Sequence, residues 1–358
     1  MTTAIPTLLT PRVRLCAAGP AHMDAIVGFL ASERARFVGG PLDRVWAWRR
    51  GASWTGHWLL RGYGGWALEE RASGEPIGFC GVLHWPLKPE RELGWLAFER
   101  AEGRGLIAEA ARAAIAYVRD AMGWDRLASF VAPNNERSIR LARGLGATNE
   151  GPSALYRERF GEPHDTWRHD LGRGEPAEPG EATVIDIPTI ESERLVFRPF
   201  TEADIPSMSA FYADEATARH VGGVSTPDAV WRRVAAYLGH WHLRGYGLWA
   251  LEEKATGQFV GYCGHYAPEG WPEPEIAYGL MAHAQGRGLA TEAATRALRH
   301  AYEVLGWQTA ISAIDEGNMA SRRVAERLGA SREATMRVMD FDAVIYRHLP
   351  PDQIGRAA

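Results

Sequence analysis

Two stretches of this 358-residue chain are near copies lying 183 residues apart: Glu102-Gly-Arg-Gly-Leu-Ile-Ala-Glu-Ala110 and Gln285-Gly-Arg-Gly-Leu-Ala-Thr-Glu-Ala293. Each sits where a short apolar strand pattern gives way to an Ala-rich helical one. Gly103, Gly105, Gly286 and Gly288 allow the backbone to turn tightly and approach a ligand. The helix start behind them leaves main-chain N–H groups without intrahelical partners. Such a turn is a seat for a phosphate, and Arg104 and Arg287 add positive charge beside it. Just upstream, Glu92 and Glu275 open equivalent strands, in Glu-Leu-Gly-Trp95 and Glu-Ile-Ala-Tyr278. A glutamate at a strand start is often just solvated.

Three ligands compete for the glycine turns. Gly103-x-Gly105-x-x-Ala108 fits a dinucleotide fingerprint, with Asp125 about twenty residues on. That fingerprint follows the first strand of a parallel βαβ unit, whereas a hairpin comes before this turn. In the second copy Thr291 and Gln308 replace the alanine and the acid. A Walker loop needs Gly-Lys-Ser/Thr, which is absent. The third candidate is the pyrophosphate of an acyl coenzyme A.

The elements that must position these residues occur twice in the same order. His57-Trp-Leu-Leu-Arg-Gly-Tyr-Gly-Gly-Trp-Ala-Leu-Glu-Glu70 aligns with His240-Trp-His-Leu-Arg-Gly-Tyr-Gly-Leu-Trp-Ala-Leu-Glu-Glu253. So long a period marks duplicated domains, since solenoid repeats run to roughly 20–50 residues. Each copy reads as a strand (Val13–Cys16; Leu195–Arg198), two helices, a hairpin, a further strand, the glycine turn with its helix, another strand, and a short helix ending at Gly146 or Gly329. The first helices are predicted near Ala21–Leu30 and Ala203–Tyr212, and Thr226-Pro227-Asp228 starts the second helix of the later copy. After the turns, Leu106, Ala110, Ala113, Tyr117 and Ala121 form one helical stripe, and Leu289, Ala293, Ala297, Ala301 and Leu305 another. The fold class is α+β, with a mainly antiparallel sheet in each half. The domains are predicted at 1–172 and 188–358, joined by a linker over 173–187 that begins in a Pro/Gly/Glu-rich run.

Several classes are excluded or disfavoured. A net charge of −4 with ordinary composition (46% hydrophobic, 23% charged) lacks the basic footprint of a nucleic-acid binder. Three cysteines, Cys16, Cys80 and Cys263, make no disulfide framework and no metal-binding spacing; Cys80 and Cys263 read as buried strand residues. No metal is expected. There is no secretory leader and no membrane-length apolar run, so a cytoplasmic location is expected. His57 and His240, with their neighbouring tryptophans and tyrosines, read as a helix end packed on the sheet and capped by Gly62 and Gly245, the alternative being an acceptor pocket. Glu69-Glu70 and Glu252-Glu253 read as solvated strand ends.

Gln285-x-x-Gly288-x-Ala290, followed by Asn318-x-x-Ser321 and a helix ending in Leu-Gly-Ala, resembles the signature of the GNAT (GCN5-related N-acetyltransferase) superfamily, most closely its ribosomal-protein-alanine acetyltransferase branch. Asn135-x-x-Ser138 repeats the second motif, and the resemblance covers both halves. It implies two tandem acyl-CoA N-acyltransferase domains, with acetyl-CoA seated in a V-shaped gap between the fourth and fifth strands. The glycine turns, with Leu106 and Leu289, would hold the pyrophosphate. Backbone near Leu96, Ala97 and Phe98, and near Leu280, Met281 and Ala282, would meet the pantetheine and the oxyanion. Asn135 and Asn318 would offer both donor and acceptor to the pantetheine, with Ser138 and Ser321 one turn on.

Acetyl transfer to an amine needs a base, because an alkylammonium has a pKa near 10.4; the resemblance gives that role to Glu275 and Glu92. The tyrosine common in the family is replaced by Ala142 and Ala325, which leaves Tyr346, or no residue, as general acid. The first copy departs further, with Glu102 in place of Gln285 and Ile107 in place of Ala290, so the second domain is expected to bind acetyl-CoA more tightly. The expected function is transfer of an acetyl group from acetyl-CoA to a primary amine within a ternary complex. The alternative is an acyl-CoA sensor or scaffold with one or both domains silent. The partners are acetyl-CoA and an amine, with no nucleic acid and no membrane. An internal pseudo-dimer of the two domains is open to a duplicated chain.

Overall fold

The computed structural model describes residues 2–172, 174, 180–339 and 341–348. The chain divides into two compact units, one over Thr2–Ile185 and one from Asp186 onward. The first contains β1 (Thr2–Pro6), β2 (Leu8–Leu9), β3 (Val13–Cys16), α1 (Pro20–Leu30), α2 (Arg44–Arg61), β4 (Gly65–Glu70), β5 (Pro76–Leu83), β6 (Glu92–Ala97), α3 (Leu106–Asp120), β7 (Arg126–Val131), α4 (Glu136–Gly144), β8 (Thr148–Pro152), α5 (Ala154–Phe160) and β9 (Asp165–Asp170). After β10 (Ala182–Asp186), the second contains β11 (Ile190–Glu191), β12 (Leu195–Arg198), α6 (Ile205–Ala213), α7 (Glu215–Ala218), α8 (Pro227–Arg244), β13 (Leu248–Glu253), β14 (Gln258–Tyr266), β15 (Glu275–Leu280), α9 (Leu289–Glu303), β16 (Ile311–Asp315), α10 (Met319–Arg327), β17 (Ser331–Val338) and β18 (Phe341–Arg347).

Each unit is built on an eight-stranded sheet with the same order: β2-β3-β4-β5-β6-β7-β9-β8 and β11-β12-β13-β14-β15-β16-β18-β17. Every pairing is antiparallel except β6 with β7 and β15 with β16. The duplicated α+β architecture read from the sequence is therefore the observed one.

Local signals account for the element ends. Asp43 caps α2 by accepting from Trp46 N, and Thr226 caps α8 by accepting from Ala229 N. Both helices stop at a left-handed glycine, Gly62 or Gly245. The stripe of α3 needs correction: its buried side is Leu106, Ile107, Ala110, Ala111, Ala114 and Val118, while Ala113 and Tyr117 are half-buried and Ala121 lies beyond the helix, exposed. A helix lying across a sheet buries a broad band of small residues rather than one i, i+4 line. Residues 182–186, expected to lie in the linker, form β10 and pair with β1 in a separate two-stranded sheet. Ile5 and Ile185 are buried there, a pairing that no local pattern announces. Of the predicted linker, residues 173 and 175–179 lie outside the described residues.

Candidate active site

In each domain the site begins where the one parallel ladder opens. β6 and β7 are in register only at Glu92 and Ala128, and β15 and β16 only at Glu275 and Ile311. Beyond that vertex no ladder pair joins the strands, which leaves a V between them. A buried serine–histidine pair pins each vertex. Ser129 Oγ donates to Leu93 O at 2.7 Å and lies 3.0 Å from His169 Nε2; Ser312 Oγ donates to Ile276 O at 2.9 Å and lies 2.9 Å from His348 Nε2. With each hydroxyl hydrogen committed to a carbonyl, the imidazole supplies the second hydrogen. Burial lowers both histidines to about 4 and keeps them neutral. Sequence reasoning missed these pairs, although the repeat of Arg168-His169 and Arg347-His348 was a signal for them.

The glycine turns lie past the open ends of β6 and β15. Gly103, Gly105, Gly286 and Gly288 all have positive φ, from 70° to 79°. A Cβ at Gly103 or Gly286 would meet nothing within 4 Å, so backbone conformation rather than space requires glycine there. Neither α3 nor α9 has a side-chain cap at its start, and the first α-helical bonds are Glu109 N to Gly105 O and Glu292 N to Gly288 O, both 3.1 Å. The amides before them therefore have no helical acceptor. Leu106 and Leu289, both buried, anchor the turns to the sheet.

A clamp absent from the sequence analysis holds each turn. Glu109 accepts from Thr10 Oγ1 (2.6 Å), Arg12 N (2.8 Å) and Arg12 Nε (2.8 Å), and Arg12 Nη1 donates to Arg104 O at 3.0 Å. Glu292 accepts from Ser192 Oγ (2.6 Å), Arg194 N (2.7 Å) and Arg194 Nε (2.6 Å), and Arg194 Nη1 donates to Arg287 O at 3.0 Å. Burial alone would raise these two carboxyls, but the donors outweigh it and hold both below the usual glutamate range. The turn arginines are themselves paired, Arg104 with Glu70 and Arg287 with Glu253. Glu69 and Glu252 hold Arg14 and Arg198, each at 2.9 Å. The paired glutamates expected to be solvated are thus anchors for arginines: Glu69 and Glu252 meet arginines of the adjacent strand, and Glu70 and Glu253 meet those of the glycine turns.

Glu102 and Gln285 do one job by different means. Gln285 Nε2 donates to Leu280 O at 3.0 Å. Glu102 pairs with Arg34 and, at 2.7 Å, with Arg137, and Arg34 Nη2 donates to Ala97 O at 3.3 Å. The carboxylate of the first turn therefore carries its own cations. Ile107 is buried over Gly78, and Ala290 is half-buried.

The strand amides need a finer assignment than three consecutive donors. Phe98 N donates to Ile77 O and Met281 N to Val260 O, each at 3.0 Å, so both are spent on the neighbouring strand. Leu96, the register partner of Phe79, faces the same way as Phe98. Alternation along the strand turns Ala97 and Leu280 toward the V, while Ala282 is exposed in a short turn over Ala282–Ala284. Asn135 and Asn318 cap α4 and α10 by accepting from Ser138 N (3.3 Å) and Ser321 N (3.1 Å). Each carbonyl oxygen thereby spends one of its two lone pairs on the cap, and the side-chain NH2 is a donor each can give a ligand. Trp95 Nε1 donates to Ser138 Oγ at 3.3 Å and Tyr278 OH to Ser321 O at 3.1 Å, so one aromatic side chain crosses from strand to helix in each domain.

The two strand glutamates stand in different environments. Glu275 is 6% exposed; its Oε1 accepts from Ala313 N at 3.0 Å, across the V, and its Oε2 from Trp271 Nε1 at 2.7 Å. Burial pushes its carboxyl up to about 8, against the pull of those two donors. Glu92 instead pairs with Lys88, four residues upstream.

Other candidates fall away. His57 and His240 are buried: Nδ1 of each donates to a carbonyl at 2.7 Å (Tyr63 and Tyr246), and Nε2 accepts from His84 N (2.9 Å) or Ala267 N (3.1 Å). Both ring nitrogens are occupied, as a helix-end peg requires, and burial lowers both to about 4. Tyr346 OH accepts from Arg322 Nε and donates to Glu326, each at 3.1 Å, and Ala142 and Ala325 are buried. Cys80 and Cys263 are buried strand residues. Among the described residues one cluster has metal-like spacing, Cys16, His22 and Glu69. His22 Nδ1 accepts from Gly19 N at 2.9 Å, which places the hydrogen on Nε2, where it meets Glu69 at 2.9 Å. That tautomer is a hydrogen-bonded triad and has no lone pair for a metal on Nε2. No helix among the described residues is long and apolar enough to cross a membrane.

A duplicated sheet with one opened parallel pair, and an uncapped glycine turn beside it, defines an acetyltransferase architecture present twice. A family model described as Acetyltransferase (GNAT) domain matches residues 12–148 and again 194–331, and the chain belongs to that family. The uncharacterized protein YkkB of Bacillus subtilis (strain 168) is 36% identical over 107 residues, 29% of this chain and 62% of that protein, so the match spans less than two thirds of YkkB. An uncharacterized N-acetyltransferase of the same organism, YoaA, is 20% identical over 153 residues, 42% of this chain and 86% of that one. Among solved structures, an acetyltransferase from Agrobacterium tumefaciens str. C58 is 32% identical with a TM-score of 0.44, covering 46% of this chain and 95% of that one.

Proposed function

We propose that the second domain transfers an acetyl group from acetyl-CoA to a primary amine, with Glu275 as general base, in a ternary complex without a covalent intermediate. The observation that carries this reading is the carboxyl of Glu275 at the vertex of the V, contacted by two neutral N–H donors and raised to about 8. A base poised near the working pH accepts a proton from an ammonium more effectively than an ordinary glutamate. Acetyl-CoA supplies the activated thioester. The amides at Gly286–Leu289 and the positive end of α9 suit its pyrophosphate. The NH2 of Asn318 and the main chain at Leu280 suit the pantetheine arm. The cysteines are buried, and burial raises the Cys80 and Cys263 thiols, which disfavours a covalent acyl-enzyme route. Glu275→Gln tests the assignment: amine acetylation should drop while acetyl-CoA affinity, read by calorimetry, persists. Unchanged turnover would remove Glu275 from the role.

For the first domain a second reading is favoured, that of an acyl-CoA-binding unit without turnover of outside amines. It has the same glycine turn and clamp, but its strand glutamate is already paired with Lys88.

A further inference from the structure

Lys88 is an unusual residue to bury. It is 6% exposed, its ammonium pairs with Glu92, and four aromatic rings surround it: Tyr156 at 4.7 Å, Trp85 at 5.0 Å, Phe160 at 5.3 Å and Phe130 at 5.6 Å from Nζ to ring centre. Ring faces attract a desolvated cation, and the carboxylate supplies the counter-charge. The enclosure is therefore a complete receptor for an alkylammonium group. Among the described residues it belongs to the first domain alone. The residues 183 positions on from Lys88, Trp85 and Phe130 are Trp271, Pro268 and Ala313. Tyr156 and Phe160 come from α5, for which the second domain has only the β17–β18 hairpin.

The ammonium also lies at the glutamate that opens β6, the position corresponding to Glu275. We propose that Lys88 fills, from within the chain, the acceptor-amine position of the first domain, and so closes that domain to outside amines. This rests on the reading of the strand glutamate as base. The receptor's chemistry defines the ligand class it would otherwise take: an unbranched primary alkylammonium about as long as a lysine side chain. With Lys88 shortened, such an amine would lose a proton to Glu92 and attack the thioester carbonyl. The C–N bond forms and the C–S bond breaks; the nitrogen then gives up its second surplus proton, the departing sulfur takes up one, and coenzyme A leaves as the thiol while Glu92 keeps the first.

The test uses the full chain, with n-butylammonium as probe and 1-butanol as its neutral counterpart. Butylammonium should raise the thermal midpoint of Lys88→Ala by several degrees more than it raises that of the natural chain, whose second domain also takes amines, and butanol should produce no such difference. With the second domain silenced by Glu275→Gln, N-butylacetamide should form from acetyl-CoA only when Lys88→Ala is also present, at least tenfold above the Glu275→Gln background. Absence of ammonium-specific stabilisation would overturn the receptor, and stabilisation without product would overturn its identity as an acceptor position. Turnover by the natural chain, measured separately, reports on the second domain, so failure of the general reading is distinguishable. If Lys88→Ala does not fold, Lys88→Met and Lys88→Met/Glu92→Gln carry the test. The single variant should lose stability and the double should recover it, and a single variant as stable as the natural chain would overturn the proposal.

Discussion

Trp271 donates its indole N–H to Glu275 at 2.7 Å, and the residue at its place in the first domain, Lys88, gives Glu92 a full positive charge. The partners four residues before the strand thus differ in kind: Glu275, which burial raises to about 8, meets a neutral donor there, whereas Glu92 has an internal cation beside it. The two glycine turns, by contrast, are nearly the same.

Glu275→Gln should lower the rate of amine acetylation by roughly 10²–10⁴. In the natural chain the rate should rise with pH through about 8 as the carboxyl ionises, and that limb should vanish in the variant. The same group predicts a stability effect. Its folded-state pKa lies above the 4.5 of an ordinary glutamate, so the folded chain holds the extra proton between pH 4.5 and 8 and loses stability as pH rises across that window. Urea midpoints should show Glu275→Gln overtaking the natural chain toward pH 9.

Gly288→Trp should weaken acetyl-CoA binding to the second domain at least tenfold, since φ of 79° at this position is strained for any side chain. Gly105→Trp should cost less overall affinity if the second site is the tighter one. Calorimetric titration of the two variants checks the ranking, and unchanged affinity in Gly288→Trp contradicts it.

Arg194→Ala should loosen the second turn without removing any group assigned to the cofactor. It deletes the Nε bond to Glu292 and the Nη1 bond to Arg287 O, and keeps the main-chain bond to Glu292. A several-fold weakening of acetyl-CoA binding is expected, with hydrogen exchange faster at the start of α9.

Ser312→Ala should cost about 1–3 kcal/mol, because it strands Ile276 O and the imidazole of His348 in a buried vertex. Denaturant unfolding should show a lower midpoint with an unchanged slope.

Acid should unfold the chain through its buried histidines. His57, His169, His240 and His348 have folded-state values near 4, against 6.5 for an exposed imidazole, with burial the main cause in each. The unfolded chain therefore binds more protons between pH 6.5 and 4, and stability falls as pH drops through that window, by about 1.4 kcal/mol per histidine per pH unit below pH 6. Thermal midpoints from pH 7 to 5 check the slope.

The duplication, the order of elements, the glycine turns and the helix caps were legible in the chain, because each rests on local chemistry: positive φ, apolar periodicity, or a capping oxygen three residues from its amide. The strand glutamates were visible as candidates only through the family resemblance and their equivalent places in the two copies. What tertiary structure decided was the company those residues keep. Arg12 and Glu109 are far apart in sequence and meet only because α3 packs beside β3. Ser129 finds Leu93 and His169 only once β6, β7 and β9 are neighbours. Burial of Glu275, and an aromatic enclosure around Lys88 drawn from β7, α5 and the loop before β6, depend on strand order and on an inserted helix. A carboxyl's proton affinity is set by its surroundings, and those surroundings exist only in the folded chain.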